Sequence, residues 1–255
     1  MIEISRKIVE MLEKGETIAV TTIIRTEGST PRGVGAKMIV TKDGSTYGTI
    51  GGDCLEREVV REAFLALKEG RTRIASFTLT EESKGGIGMV CGGKVEVLIE
   101  CIQPKPTLLI VGSGHVAKPL AKWGRTVGFS VTVVDPLASQ EDFPDADHVI
   151  TTEIDTGLSQ VTITPNTYVA IVTGHEDTEQ ALRKVIDSEA AYLGMISSKR
   201  RAKITFKALM KDGVPAERLR QVRAPIGLDI GAETPEEIAV SIIAEIIKTR
   251  RRAQR

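Results

Sequence analysis

The spacing of hydrophobic residues changes character halfway along the chain. In the first half, Ile4, Ile8, Met11 and Leu12 recur at helical spacing with charges between them, which predicts a helix over 4–14. Thr17–Arg25 is β-branched and predicts a strand. Residues 26–35 hold Gly28, Gly33, Gly35 and Pro31, the composition of irregular backbone. Lys37–Thr41 and Thr46–Ile50 flank Asp43-Gly44, a hairpin signal. Asp53 is placed to cap a helix with apolar positions Leu55, Val59, Val60, Ala63, Phe64 and Leu67, ended by Gly70. Strands over Arg73–Thr80 and Lys94–Glu100 enclose a second glycine-rich loop, Gly85–Gly93. In Gln103-Pro104-Lys105-Pro106, prolines on both sides of Lys105 resist helix and central strand alike. The expected division is a smaller α+β domain over 1–103 and a second domain over 104–255.

The second half alternates regularly. An apolar run, Leu108–Val111, leads through a glycine turn and an amphipathic segment to a second run, Val131–Val134. Further strands are expected at His148–Thr151, Tyr168–Thr173 and Ala191–Ile196. Helices are expected at Asp177–Glu189, with Asp177 as cap, and at Lys199–Met210. Thr234-Pro235-Glu236-Glu237 reads as a capping box with proline in the first helical position. It opens a final helix with apolar positions Ile238, Val240, Ile242, Ile243, Ile246 and Ile247. Alternating strands and helices predict an α/β fold with a doubly wound parallel sheet.

The turn Gly112-Ser113-Gly114-His115-Val116-Ala117 sits between strand and helix, the context in which a GxGxxA pattern binds nucleotides. Gly112 permits the sharp turn, Gly114 leaves room for a phosphate, and Ala117 lets the helix pack closely. Asp135 ends the next strand, where an acid accepts from a ribose 2′-OH and repels a 2′-phosphate, favouring NAD over NADP. Three more segments fall beyond strand ends. His175 lies between Gly174 and two acids and is a candidate general base. Ser197, Ser198 and Arg200 open a helix and suit a phosphate. Pro225–Gly231 is a candidate loop over the cleft. In the first half, Gly51, Gly52, Gly92 and Gly93 offer backbone to a ligand, Arg32 offers a cation, and Cys54 and Cys91 offer thiols. Two functions fit these residues: a cofactor carrier built on the glycine loops, and an NAD-dependent oxidoreductase built on GSGHVA and His175.

Composition removes other classes. Lys+Arg and Asp+Glu are both 34, so no net field draws the chain to nucleic acid or a membrane. Cys54, Cys91 and Cys101 are odd in number and widely spaced, against a disulfide framework. No run reaches the apolar length of a membrane span, and the N-terminus lacks a signal-peptide core, so a cytoplasmic protein is expected.

Gly28-Ser29-Thr30-Pro31-Arg32 with Gly35-Ala36-Lys37-Met38, Gly51-Gly52-Asp53-Cys54-Leu55-Glu56, and Cys91-Gly92-Gly93-Lys94-Val95-Glu96-Val97 resemble the N-terminal module of the xanthine dehydrogenase accessory factors, the XdhC/CoxI family. GSGHVA, the TGHEDTEQAL stretch from Thr173, YLGMISSKRR from Tyr192 and PIGLDIGAETPEEIAVSIIAEI from Pro225 resemble its Rossmann module. The resemblance spans nearly the whole chain in the right order. It implies a factor that holds the molybdenum cofactor (molybdopterin), assists its sulfuration with a cysteine desulfurase, and delivers it to a molybdenum hydroxylase apoenzyme. A homodimer is expected. Carried onto this sequence, it puts Cys54 and Cys91 near the cofactor, with Cys91 as candidate molybdenum contact, and Gly112, Gly114 and His115 at a phosphate or nucleotide site. Asp53 stands where family members often have a third glycine, and Pro136-Leu137-Ala138 follows Asp135 where many have an arginine.

Overall fold

The computed structural model describes residues 2–81, 86–89 and 92–253, without the side chains of Asp53, His175, Glu176 and Ala253. The chain divides into two compact units, Met1–Pro104 and Lys105–Arg255.

The first unit contains α1 (Ile2–Glu13), β1 (Ile18–Glu27), β2 (Lys37–Thr41), β3 (Thr46–Gly48), α2 (Asp53–Glu69), β4 (Arg73–Thr78) and β5 (Lys94–Ile102). Its sheet is five-stranded and antiparallel, in the order β3-β2-β1-β5-β4. Residues 18–23 of β1 are all buried, because each face of the central strand is covered by a helix. Ile18 and Val20 pack with Met11, Ile4, Ile8 and Leu12 of α1. Ala19 and Ile23 point the other way, to Leu55, Val59, Ala63 and Ala66 of α2. Period-2 alternation in the strand thus meets a spacing of three and four in each helix.

The start of α2 differs from the sequence expectation. Asp53 is its first residue, and the cap is Gly52, with no side-chain cap bond. The turn before the helix is held from inside the helix instead. Glu56 Oε1 accepts from the N–H of Ile50 at 3.2 Å and of Gly52 at 3.4 Å, and from Thr49 Oγ1 at 2.6 Å. At the other end Gly70 adopts the left-handed conformation that closes a helix.

The second unit contains β6 (Thr107–Val111), α3 (Ala117–Thr126), β7 (Ser130–Val134), β8 (His148–Ile150), α4 (Ile154–Ser159), β9 (Thr167–Ile171), α5 (His175–Val185), β10 (Tyr192–Met195), α6 (Lys199–Lys211), α7 (Ala216–Gln221) and α8 (Pro235–Ala253). The sheet is wholly parallel, in the order β10-β9-β6-β7-β8. This is the doubly wound, Rossmann-like arrangement, with the direction of strand addition reversing between β6 and β9. Leu108 and Ile110 face a core shared with α3 and α8, and Leu109 and Val111 face one shared with α4, α5, α6 and α7. Burial on both faces explains why these strands read as continuous apolar runs.

The short helices α4 and α7 carry no strong sequence signal and were not expected. Helix α5 begins two residues before Asp177, with Gly174 as its cap residue and no side-chain cap. Helix α8 opens with the reciprocal capping box: the Glu237 N–H donates to Thr234 Oγ1 at 3.2 Å, and the Thr234 N–H donates to Glu237 Oε2 at 3.0 Å. Its buried stripe is Ala239, Ile242, Ile243 and Ile246, while Val240 points to solvent. Helices α3 and α4 both approach the sheet closely at a glycine: an added Cβ would lie 2.5 Å from Leu108 Cδ2 at Gly124 and 2.4 Å from Val134 Cγ1 at Gly157.

Candidate functional site

Three glycine-containing segments, distant in sequence, meet in the first unit. Residues 28–35 follow β1, residues 51–54 lead into α2, and residues 86–89 and 92–93 precede β5. Gly51 has φ 134°, and an added Cβ would sit 2.5 Å from Pro31 Cγ. A Cβ on Gly93 would sit 2.2 Å from the Ser29 carbonyl oxygen, so backbone packs directly on backbone. Cys54 Sγ donates to the Gly88 carbonyl at 3.8 Å, and Arg57 Nη2 donates to Cys54 Sγ at 3.7 Å. Cys54 therefore sits at the junction, half-buried, with a guanidinium one helical turn along α2. Glu56 holds the same turn from below. Burial pushes its carboxyl up, but the hydrogen bonds from Thr49, Gly52, Ile50 and Gly51 outweigh it and hold the group below the usual range.

Of the residues expected here, Gly51, Gly52, Gly93 and Cys54 lie at this junction. Gly92 and Arg32 are exposed on its segments. Cys91 lies outside the described residues. Cys101 is away from the junction on β5, a free thiol raised by burial against the pull of Lys42. Glu56 and Arg57 were missed by sequence reasoning. Their signal was the helical spacing of three from Cys54 to Arg57 and of four from Gly52 to Glu56.

In the second unit the glycine turn follows β6 at the point where strand order reverses, the place where open α/β sheets bind ligands. Gly112 has φ 116°, and a Cβ there would lie 2.9 Å from the Thr173 nitrogen beyond β9. Gly114 is different: its nearest neighbour would be the Val172 carbonyl oxygen at 3.9 Å, so the protein leaves that space open. His115 is exposed beside it, and α3 starts at Ala117 with no side-chain cap. Asp135 has a task within the turn as well. Its Oδ2 accepts from the Ser113 N–H at 3.0 Å and its Oδ1 from the Leu137 N–H at 2.8 Å, so the carboxylate braces the turn itself.

A cavity of about 350 Å³ lies at the ends of β9 and β10, lined by Thr173, Thr178, Ile196, Ser197, Ser198, Arg201 and Thr205. Ser197 and Ser198 are there as the sequence suggested, but the lining cation is Arg201 and not Arg200. Ser198 caps α6, accepting from the Arg201 N–H at 3.2 Å. His175 opens α5, but its side chain lies outside the described residues. Residues 226–228 are tied down, and the Ile226 N–H donates to the Met195 carbonyl at the end of β10 at 3.1 Å. The Gly227 N–H donates to Glu245 Oε2 at 2.9 Å, the Leu228 N–H donates to the Ser241 carbonyl at 3.1 Å, and Ile226 packs on Gly194. The buried Tyr192 hydroxyl donates to the same Glu245 oxygen at 2.6 Å.

Among the described residues, no group of three or more His, Cys, Asp and Glu side chains is placed to hold a metal ion. Among them, too, no helix is long and apolar enough to cross a membrane.

The XdhC Rossmann domain matches residues 108–246, more than half of the chain, and the XdhC and CoxI family matches residues 11–78. YqeB, an uncharacterised protein of Escherichia coli (strain K12), is 35% identical over 245 residues; the match covers 94% of this chain and 45% of YqeB, so the chain spans less than half of that relative. The molybdenum cofactor insertion chaperone PaoD of the same organism is 24% identical over 284 residues, with 97% of this chain and 88% of PaoD covered. A crystal structure described as a xanthine dehydrogenase from Bacillus halodurans shares the fold, with a TM-score of 0.52 at 24% identity over 96% of this chain and 95% of that one. Both matched regions fall in family order, one over the glycine-loop unit and one over the parallel-sheet unit, and the chain belongs to the XdhC and CoxI family.

Proposed function

We propose that the chain is an accessory factor that binds the molybdenum cofactor, assists its sulfuration with a cysteine desulfurase, and passes it to the apoenzyme of a xanthine dehydrogenase-type molybdenum hydroxylase. The observation that carries this reading is the meeting of three glycine segments around Cys54 in the first unit. Glycine backbone presents N–H groups to a flat or anionic ligand with no Cβ in the way. Arg32 and Arg57 offer guanidinium groups to phosphate oxygens. A thiolate is the protein group that ligates a metal or accepts sulfur, which gives roles to Cys54 and to Cys91. The likeness to PaoD supports the same cargo. On this reading the protein is a carrier with little chemistry of its own: it holds the pterin, shields the metal from water, and releases both on contact with the target.

The test is anaerobic incubation of the full chain with free molybdenum cofactor, desalting, and assay of retained pterin as its oxidised fluorescent derivative. Stoichiometric retention that is lost in Cys54→Ala or Arg57→Ala is expected. No retention by the wild type would sink the reading. NAD binding, measured on the same sample, would in that case favour an oxidoreductase built on the glycine turn.

A further inference from the structure

We propose that the second unit carries a separate binding site for a phosphomonoester, in the cavity between the N-terminal ends of α5 and α6. The site lies at the ends of β9 and β10, while the glycine turn lies at the end of β6 on the other side of β9. It rests on other residues than the molybdenum carrier reading, which rests on the first unit, although the pterin carries a phosphate and so belongs to the same chemical class.

Four observations converge. Among the described residues, five of the seven that line the cavity carry hydroxyls (Thr173, Thr178, Ser197, Ser198 and Thr205), and Arg201 is the ionised one. Hydroxyls and a guanidinium are donors that can surround the oxygens of a tetrahedral dianion. Second, α6 opens on Lys199, Arg200 and Arg201 with no acid in its first turn. Cations at the positive end of a helix dipole are unfavourable, and an anion bound there reverses the sign. Third, the Ser197 hydroxyl is buried with no hydrogen-bond partner among the described residues. Such a group weakens the fold unless something else completes it. The other hydroxyls are already arranged: Thr173 Oγ1 and Thr178 Oγ1 lie 2.9 Å apart, and Thr178 donates to the Gly174 carbonyl at 2.6 Å.

The fourth observation is size. A volume of about 350 Å³ exceeds one phosphate ion and lies near the small end of ligand pockets. Ile196 supplies an apolar wall for the carbon part of a ligand. The fitting chemistry is a phosphate group on a small organic body, with inorganic phosphate as the smaller member of the same class.

Calorimetric titration of the full chain at low ionic strength tests the site, using inorganic phosphate and a nucleoside monophosphate as parallel probes. Both are expected to bind. Tighter binding of the monophosphate identifies an organic phosphate as the natural class, and equal binding identifies the free ion. Arg201→Ala is expected to weaken both by about tenfold or more, the loss of a charge-assisted contact. Ser197→Ala is expected to weaken binding while leaving the thermal midpoint without ligand unchanged or raised, since it deletes an unpaired hydroxyl. A purely structural serine would move the midpoint and not the affinity. Absence of binding by wild type, or equal affinity in wild type and Arg201→Ala, overturns the proposal. So does loss of binding in Gly114→Ala with none in Arg201→Ala, which would put the anion on the glycine turn.

Discussion

Gly112 and Gly114 are two residues apart in one motif, yet they answer to different constraints. Gly112 is required by the protein itself, through a positive φ and the Thr173 backbone 2.9 Å from any Cβ. At Gly114 an added Cβ would meet only the Val172 carbonyl oxygen, at an unstrained 3.9 Å, so whatever requires glycine there is not a clash within the fold. Gly112→Ala is therefore expected to destabilise by at least about 1–3 kcal/mol in urea denaturation. Gly114→Ala is expected to stay within about 0.5 kcal/mol of wild type. Equal losses at the two positions would show that the turn's geometry, and not a ligand, accounts for both glycines. Asp135 makes the same point for a side chain: it stands where a ribose-binding acid is expected, but its two oxygens accept from Ser113 and Leu137.

At the scale of an element, the entry to α2 shows how a helix end is tied to a site. The cap residue is a glycine, so the load passes to Glu56, which gathers donors from Thr49, Ile50 and Gly52 and fixes the turn that delivers Cys54. Glu56→Ala leaves those partly buried donors unmet, and about 1–3 kcal/mol of stability is expected to go with them. The effect depends on pH with a defined sign. The carboxyl titrates lower in the folded chain than in the unfolded one. Its contribution is thus fully present above the unfolded pKa of about 4.3 and is lost as pH falls through the folded value. Urea midpoints of wild type and Glu56→Ala, measured from pH 7 downward, are expected to converge in acid, and a constant gap would contradict the assignment. The capping box of α8 was readable because both partners lie within three residues. The Glu56 arrangement was not, since the polar residue nearest the helix start in sequence is Asp53.

For the whole molecule, each unit completes its own sheet and its own cores. The antiparallel unit buries α1 and α2 on opposite faces, and the parallel unit buries α3 and α8 on one face and α4 to α7 on the other. Among the described residues, every strand pairing falls within a unit. Residues 105–255 expressed alone are therefore expected to give a single cooperative melt by circular dichroism, with helical content intact. A molten, non-cooperative transition would show that this unit needs the rest of the chain. The phosphomonoester site should persist in such a fragment, because every residue lining it belongs to this unit.

The sequence by itself determined the kinds of element and their order, apart from the short helices α4 and α7. Period-2 and helical spacing are local properties, and a strand covered on both faces draws mainly on apolar and β-branched residues, so β1, β6 and β9 were legible along with α1, α2 and α8. Motif context placed the glycine turn between a strand and a helix for the same reason. Only the tertiary structure decided which loops meet. That residues 28–35, 51–54, 86–89 and 92–93 share one junction follows from β1 pairing with β5 and from α2 lying across that pair, a consequence of hydrogen-bond register between strands far apart in sequence. It also decided that Arg201 and not Arg200 lines the cavity, since one residue on a helix turns a side chain by about 100°. The placing of Gly124 under Leu108, and of Gly227 and Leu228 on α8, was likewise a matter of contact across the fold, where close packing selects a residue for its neighbours in space.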